Sequence, residues 1–133
     1  MSSSDLATHK GHCHCKAVQW EIQAPRKLSI DECNCSICDL NGFQHIIVPR
    51  SRFTLVSGED NITTYTFNTH VAQHYFCKTC GIESFYIPRS NPDGYSINFR
   101  CLERDNIDEF EIVPFDGKNW EKNAGKLSHL SKE

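Results

Sequence analysis

Hydrophobic and polar side chains alternate along much of this chain, and the alternation predicts short β-strands. The first such segment places Val18, Trp20 and Ile22 on one face, with polar residues between them. Apolar residues at every second position are typical of a strand that buries one face. Further runs rich in β-branched and aromatic residues lie near 43–49, 53–57, 62–67, 71–76, 82–88, 95–99 and 110–115. The pattern predicts a mostly β architecture.

Helical spacing is found at the C-terminal end of the chain. Trp120, Ala124 and Leu127 recur at i, i+4 and i+7, and Leu130 follows about one turn later. These positions predict one short C-terminal helix. Gly125 lies inside the pattern and costs about 1 kcal/mol relative to alanine, so we expect the helix to be short or dependent on docking.

The length of 133 residues is typical of one domain, and no linker rich in Pro, Gly or Ser divides the chain. The first ten residues, MSSSDLATHK, are polar and contain no apolar signal-peptide core. They predict a disordered lead-in over 1–10, followed by a single domain over 11–133. No run approaches the roughly 18 apolar residues that span a bilayer. We therefore expect no membrane segment and no secretion, which favours the cytoplasm, the nucleus or both.

The charge balance argues against a nucleic-acid partner. Lys and Arg number 14, Asp and Glu number 17, and the net charge is -3 with no basic tract. The hydrophobic share of 38% and the mean hydropathy of -0.51 are low for a compact fold. Something besides the apolar core must then contribute to stability, and the eight cysteines are the obvious candidate.

Four of the cysteines form a CxC and a CxxC motif. Cys13 and Cys15 follow a glycine near the N-terminus, and Cys77 and Cys80 form the CxxC, whose second cysteine directly precedes Gly81. Zinc favours tetrahedral thiolate coordination, and a two-residue gap lets a tight turn direct both sulfurs at one ion. A glycine after the second sulfur can adopt positive φ without penalty. The four sulfurs predict one structural zinc site that joins distant parts of the chain.

A second cluster, Cys33, Cys35 and Cys38, forms CxCxxC. Structural zinc sites usually have four protein ligands, whereas reactive sites keep one position open. Three clustered sulfurs therefore indicate an open site, and a three-thiolate zinc suits the binding of a thiol as thiolate. The alternative is a second structural centre completed by one of Cys101, His45, His70 and His74. Without such a role, Cys101 is expected to be a small buried residue.

The combined pattern GxCxC, CxCSxC and FCxxCG resembles the glutathione-dependent formaldehyde-activating enzyme family over nearly the whole chain. Within that family the closer likeness is to the animal centromere protein V branch. It is carried by the runs CNCSIC at 33–38 and ITTYTFNT at 62–69, by Phe76-Cys77-Lys78, and by Phe85-Tyr86.

The resemblance implies a fold of two antiparallel sheets of the β-tent type and two zinc ions per chain. One zinc would be structural and the other would lie at the reaction site of Cys33, Cys35 and Cys38. It implies a carbon–sulfur lyase that joins formaldehyde to glutathione or a related small thiol. Three arginines offer cations for the glutathione carboxylates, although none is assigned as a ligand: Arg50, Arg52 and Arg89.

Two further hypotheses stay open. A zinc-stabilised interaction module, linked to the centromere or cytoskeleton and binding a protein partner, would have two structural metals and no turnover. A disulfide-rich or redox-switch protein would instead lose free thiols on mild oxidation without releasing metal.

Overall fold

The computed structural model describes residues 6–67, 69–116, 125 and 128–131. In this part of the chain, ten strands form two sheets beside one helix and several 3₁₀ turns. The strands are β1 (Leu6–His12), β2 (Gln19–Pro25), β3 (Lys27–Cys33), β4 (Gln44–Pro49), β5 (Phe53–Ser57), β6 (Ile62–Tyr65), β7 (Gln73–Cys77), β8 (Phe85–Ile87), β9 (Gly94–Asn98) and β10 (Glu109–Phe115). The helix is α1 (Ser36–Asn41), and the 3₁₀ turns are Arg50–Arg52, Glu59–Asn61, Phe99–Cys101 and Ser128–Ser131.

The sheets contain three and seven strands, in the orders β1-β2-β5 and β10-β3-β4-β9-β8-β7-β6. The mostly β, two-sheet prediction is confirmed. One pair departs from the antiparallel arrangement, because β10 runs parallel to β3, with Glu109 opposite Lys27 and Phe115 opposite Cys33. The segment between β9 and β10 carries the chain past β4 and β3 before the last strand begins. A parallel neighbour requires such a crossover, which alternation alone does not reveal.

The apolar core lies between the two sheets. Trp20 and Ile22 of the small sheet and Ile97 of the large sheet are almost completely buried. Trp20 Nε1 also donates a hydrogen bond of 3.1 Å to Ser84 Oγ, just before β8. Each sheet therefore buries one face against the other, as the alternating pattern predicts.

The disordered lead-in predicted for 1–10 is wrong over residues 6–10, which belong to β1 and pair with β2. Ala7 and His9 of this strand are buried. His9 fits the interior because its Nε2 lies 3.2 Å and 3.0 Å from the carbonyl oxygens of Ala24 and Pro25. A polar side chain satisfied by backbone lowers the hydropathy of a strand without exposing it, so composition alone suggested disorder. Residues 1–5 lie outside the described part.

Helix α1 and strand β3 were not predicted from the sequence. The predicted C-terminal helix lies mostly outside the described residues, and its described end, Ser128–Ser131, is a 3₁₀ turn. No helix in the described ranges is long and apolar enough to cross a membrane.

Candidate metal centres

The first cysteine cluster lies where the two sheets meet. Cys13 and Cys15 follow β1 of the small sheet, whereas Cys77 ends β7 of the large sheet and Cys80 lies in the turn before β8. The four sulfur atoms lie within 4.8 Å of one another, although Cys15 and Cys77 are 62 positions apart in sequence. A metal ion on these sulfurs would connect the two sheets directly.

The sulfur separations fit a metal site and not disulfides. Cys13 Sγ lies 3.7 Å from Cys15 Sγ, which lies 3.6 Å from Cys77 Sγ. A tetrahedral zinc with sulfur ligands at about 2.3 Å has sulfurs roughly 3.8 Å apart, whereas a disulfide joins them at about 2.05 Å. All eight cysteines are free of disulfides, against the disulfide-rich hypothesis.

Backbone and side-chain N–H groups point at the sulfurs of the first cluster. Val18 N lies 3.4 Å from Cys13 Sγ, and Asn61 Nδ2 lies 3.3 Å from Cys77 Sγ. Burial opposes ionisation of Cys80, but hydrogen bonds from backbone N–H groups outweigh it and lower the pKa of its thiol to about 6. Gly81 has φ of 78°, as predicted for the turn. These N–H groups therefore favour negatively charged sulfur at Cys77 and Cys80, whereas the pKa of the Cys15 thiol is raised to about 11, although a hydrogen bond from backbone lowers it, because burial and the neighbouring cysteine thiols oppose its ionisation.

The second cluster is built by the end of β3 and the short helix α1. Cys33 ends β3, Cys35 is the N-cap of α1, and Cys38 follows three residues later on the same face of the helix. The helix ends at Gly42, whose φ of 66° is left-handed. The three sulfur atoms lie within 4.8 Å of one another. This local geometry follows from the CxCxxC spacing.

The thiols of the second cluster cannot all ionise easily without a cation. The hydrogen bond from the Cys33 thiol, with that from Cys38, lowers the pKa of Cys35 to about 2. Contact with Cys33 and Cys35 raises the pKa of Cys38 far above its usual range. Ionisation of one thiol therefore opposes ionisation of its two neighbours. A bound cation would balance the negative charge of three thiolates.

No fourth protein ligand joins this cluster among the described residues. His74 Nδ1 contacts Glu83 Oε2 at 2.8 Å, and His70 bonds a neighbouring threonine hydroxyl. Cys101 packs against the core, where burial raises the pKa of its thiol to about 12. His45, like His74, lies in the wall of the cavity beside the cluster, but outside the ligand group.

A cavity of about 410 Å³ opens at the second cluster, with Cys33, Cys35 and Cys38 in its wall. None of the first cluster's cysteines lines it. Its remaining wall is largely apolar and aromatic and includes Ile37, Ile47, Phe67, Tyr86 and Phe115. The two clusters therefore differ in access: one is part of the framework, and the other faces a space that can take a small molecule.

Buried polar groups line or support this cavity, and the sequence pattern did not predict their arrangement. The His74 ring stacks on Tyr86 at 4.5 Å and on Phe67 at 5.8 Å. Glu83, behind His74, is buried, and burial raises the pKa of its carboxyl group. The sequence feature that could have indicated these buried polar groups is a polar residue inside an otherwise apolar strand, such as His45 in FQHIIVP.

The three arginines considered as carboxylate ligands lie in different places. Arg89 lines the cavity. Arg50 donates a hydrogen bond of 2.9 Å to the carbonyl oxygen of Pro92, and its guanidinium lies over Tyr95. Neither Arg50 nor Arg52 is part of the cavity wall, so the geometry favours Arg89.

Fold and site together define a class: a two-sheet β protein with one thiol cluster between the sheets and a second in the wall of a cavity. Residues 8–114 match the family model of the glutathione-dependent formaldehyde-activating enzyme. The chain therefore belongs to that family. It is also similar to a Rhodobacter sphaeroides protein of known crystal structure, with 36% identity over 77% of this chain and 99% of that chain, and a TM-score of 0.64.

Proposed function

We propose that this protein is a zinc-dependent enzyme of the carbon–sulfur lyase type that handles glutathione, or a related small thiol, and its formaldehyde adduct. The observation that carries the proposal is the second cluster, whose three sulfurs lie in the wall of a cavity of about 410 Å³. Membership of the family supports the choice of thiol and aldehyde.

Both clusters suit zinc, which favours thiolate ligands in tetrahedral sites. Cys13, Cys15, Cys77 and Cys80 would hold a structural ion, and Cys33, Cys35 and Cys38 would hold a second ion. Zinc at the second cluster would lower the pKa of an incoming thiol and keep it as thiolate. We propose the reducing cytoplasm or nucleus as the location, because glutathione and free cysteines are both maintained there.

The chain's own residues bind and orient the reactants. Apolar and aromatic side chains, among them Phe67 and Tyr86, exclude water from the sulfur cluster. Arg89 contributes a guanidinium to the same wall, and this group suits a carboxylate of glutathione. Held in this way, the thiolate sulfur attacks the formaldehyde carbon, and the thiol proton finally resides on the new hydroxyl group.

Exchange NMR of glutathione and formaldehyde tests the proposal, because it measures adduct formation against the spontaneous rate. We expect acceleration by the wild type and its loss in Cys35→Ser. The matched control is Cys101→Ser, which removes a thiol outside both clusters and should retain the activity. No acceleration by zinc-loaded wild type would refute the enzymatic proposal.

We also infer that the chain lies in the centromere protein V branch of the family, from CNCSIC at 33–38 and ITTYTFNT at 62–69. These runs favour a second candidate, a zinc-stabilised module that binds a protein partner. Retention of a partner by a variant lacking Cys33, Cys35 and Cys38 would support that module.

A further inference from the structure

His45 places a buried ring in the wall of the cavity that contains the second cluster. Its Nδ1 lies 2.8 Å from Ser96 Oγ and 3.3 Å from the hydroxyl of Tyr86. Its other nitrogen, Nε2, is buried and has no hydrogen-bond partner within the described residues. One edge of the ring is therefore fixed by the sheet, while a polar atom on the other edge is unsatisfied.

The surrounding hydroxyls allow an arrangement of hydrogen bonds in which Nε2 carries the proton of the ring. Tyr86 is a buried phenol, and a phenol with an ordinary pKa of about 10 keeps its O–H at pH 7. Ser96 and Tyr86 each have a proton to donate, and both contact His45 Nδ1. When these hydroxyls donate, Nδ1 is the acceptor and the proton of the neutral ring lies on Nε2. Burial also lowers the pKa of His45 to about 4, so the ring is neutral at pH 7.

A buried N–H without an acceptor is costly, and such groups in native proteins require an explanation. A ligand oxygen would supply the missing acceptor here. Nδ1 of His9 is likewise buried without a partner among the described residues, but His9 lies in β1 and is not part of this cavity wall. His9 is therefore a natural comparison for His45.

We propose that His45 is a catalytic residue whose Nε2–H donates a hydrogen bond to the aldehyde oxygen as that oxygen becomes an alkoxide. The inference rests on the proposed function and deepens it. The thiolate lone pair forms the C–S bond, the C=O π pair moves to oxygen, and the proton released by the thiol ends on that oxygen. His45 stays neutral and stabilises the developing charge, as donors in oxyanion holes do.

Kinetics of adduct formation provide the first test. We expect His45→Leu to lower kcat by about 100- to 1000-fold with KM for glutathione changed little. His45→Gln should recover part of the loss, because its amide N–H can replace Nε2–H. The control His9→Gln should keep kcat near that of the wild type. A kcat for folded, zinc-loaded His45→Leu within about twofold of the wild type would overturn the proposal while leaving the proposed function intact.

A binding measurement separates the two proposals. We expect the wild type to prefer S-(hydroxymethyl)glutathione over S-methylglutathione by about fivefold, and His45→Leu to lose that preference. In the wild type, the ¹⁵N resonance of His45 Nε2 should shift with the hydroxymethyl ligand only. This spectrum shows whether His45 Nε2 contacts the hydroxyl group of the ligand, even if His45→Leu fails to fold.

Equal resonance shifts with both ligands would overturn the role of His45. A preference that depends on His45, without any acceleration by the wild type, would support the His45 contact and refute the enzyme.

Discussion

The sulfur atoms of the two clusters lie in different surroundings, so individual residues should differ in their importance for folding. Cys13 and Cys77 are buried between the sheets, where sulfur is held by N–H groups. Cys33 and Cys35 are half-buried beside the cavity. Loss of a ligand should therefore affect stability at the first cluster and substrate handling at the second.

Replacing Cys80 with serine should abolish zinc binding at the first cluster and cause unfolding or insolubility. Metal binding at such a site is coupled to folding, so we expect a loss of more than about 4 kcal/mol in the free energy of unfolding. Thermal melts followed by circular dichroism, together with zinc counts, measure this. Cys35→Ser should shift the melt much less. An unchanged melt for Cys80→Ser would contradict the framework role.

His45 should make the protein less stable at acidic pH. Its pKa is about 4 in the folded state, against 6.5 as the ordinary value. Between these two pH values the unfolded chain binds one more proton than the folded protein. The free energy of unfolding is therefore highest above pH 6.5 and decreases as the pH falls toward 4. The integrated loss is about 3 kcal/mol.

Denaturant titrations of wild type and His45→Gln from pH 7 to pH 4 test this expectation. Protonation of the cysteine ligands is common to both proteins and cancels in the difference. The difference in free energy of unfolding between the two proteins should change by about 3 kcal/mol between pH 7 and pH 4. A difference that stays constant with pH would exclude His45 as the source of the pH dependence.

At the scale of elements, the approach of β1 to β2 depends on a glycine. Gly11 lies opposite Trp20 in the pairing register, and a Cβ at position 11 would overlap the indole ring. Trp20 is 1% exposed and hydrogen-bonds Ser84, so it cannot easily move aside. The strand that leads to Cys13 of the first cluster is thus positioned by the smallest residue.

Gly11→Ala should therefore destabilise the protein by about 1–3 kcal/mol through overpacking. Urea denaturation of the zinc-loaded protein provides the measurement. Lys10→Ala, at an exposed position of the same strand, is the matched control and should be close to neutral. Equal stability of Gly11→Ala and Lys10→Ala would show that the strands can separate without cost.

At the scale of the whole molecule, the first cluster joins two sheets that otherwise meet through the apolar core. Cys15 and Cys77 close a loop of 62 positions, and the hydrophobic share of the chain is only 38%. A structural zinc contributes roughly 10–16 kcal/mol in peptides that fold on binding it. We therefore expect the fold to depend on a metal ion bound at the first cluster.

Native mass spectrometry during stepwise chelation should show two zinc ions per chain that leave in order. Loss of the ion beside the cavity should preserve the far-ultraviolet circular dichroism. Later loss of the ion at the first cluster should abolish it. Added glutathione should yield a complex only while the cavity ion is bound. A single zinc per chain, with no glutathione complex, would restrict metal to the first cluster.

The sequence by itself was enough to group the cysteines, because CxC, CxxC and CxCxxC spacing is local and restricts where each sulfur can lie. The alternation around Trp20 likewise predicted the strands that bury one face. The hydropathy pattern did not predict β1, because the buried His9, which contacts backbone carbonyl oxygens, lowers the hydropathy of that strand. The pattern also did not predict α1, because a helix of six residues is too short to show a helical period.

The tertiary structure was needed to show which cluster faces a cavity, that β10 lies parallel to β3, and that His45, in the wall of that cavity, has a buried nitrogen without a hydrogen-bond partner among the described residues. Each depends on segments far apart in the chain meeting at one place. Ser96 and Tyr86 fix the His45 ring from two other strands. Local spacing groups the cysteines, whereas the packing of distant strands determines access to each cluster and the side chains that line the cavity.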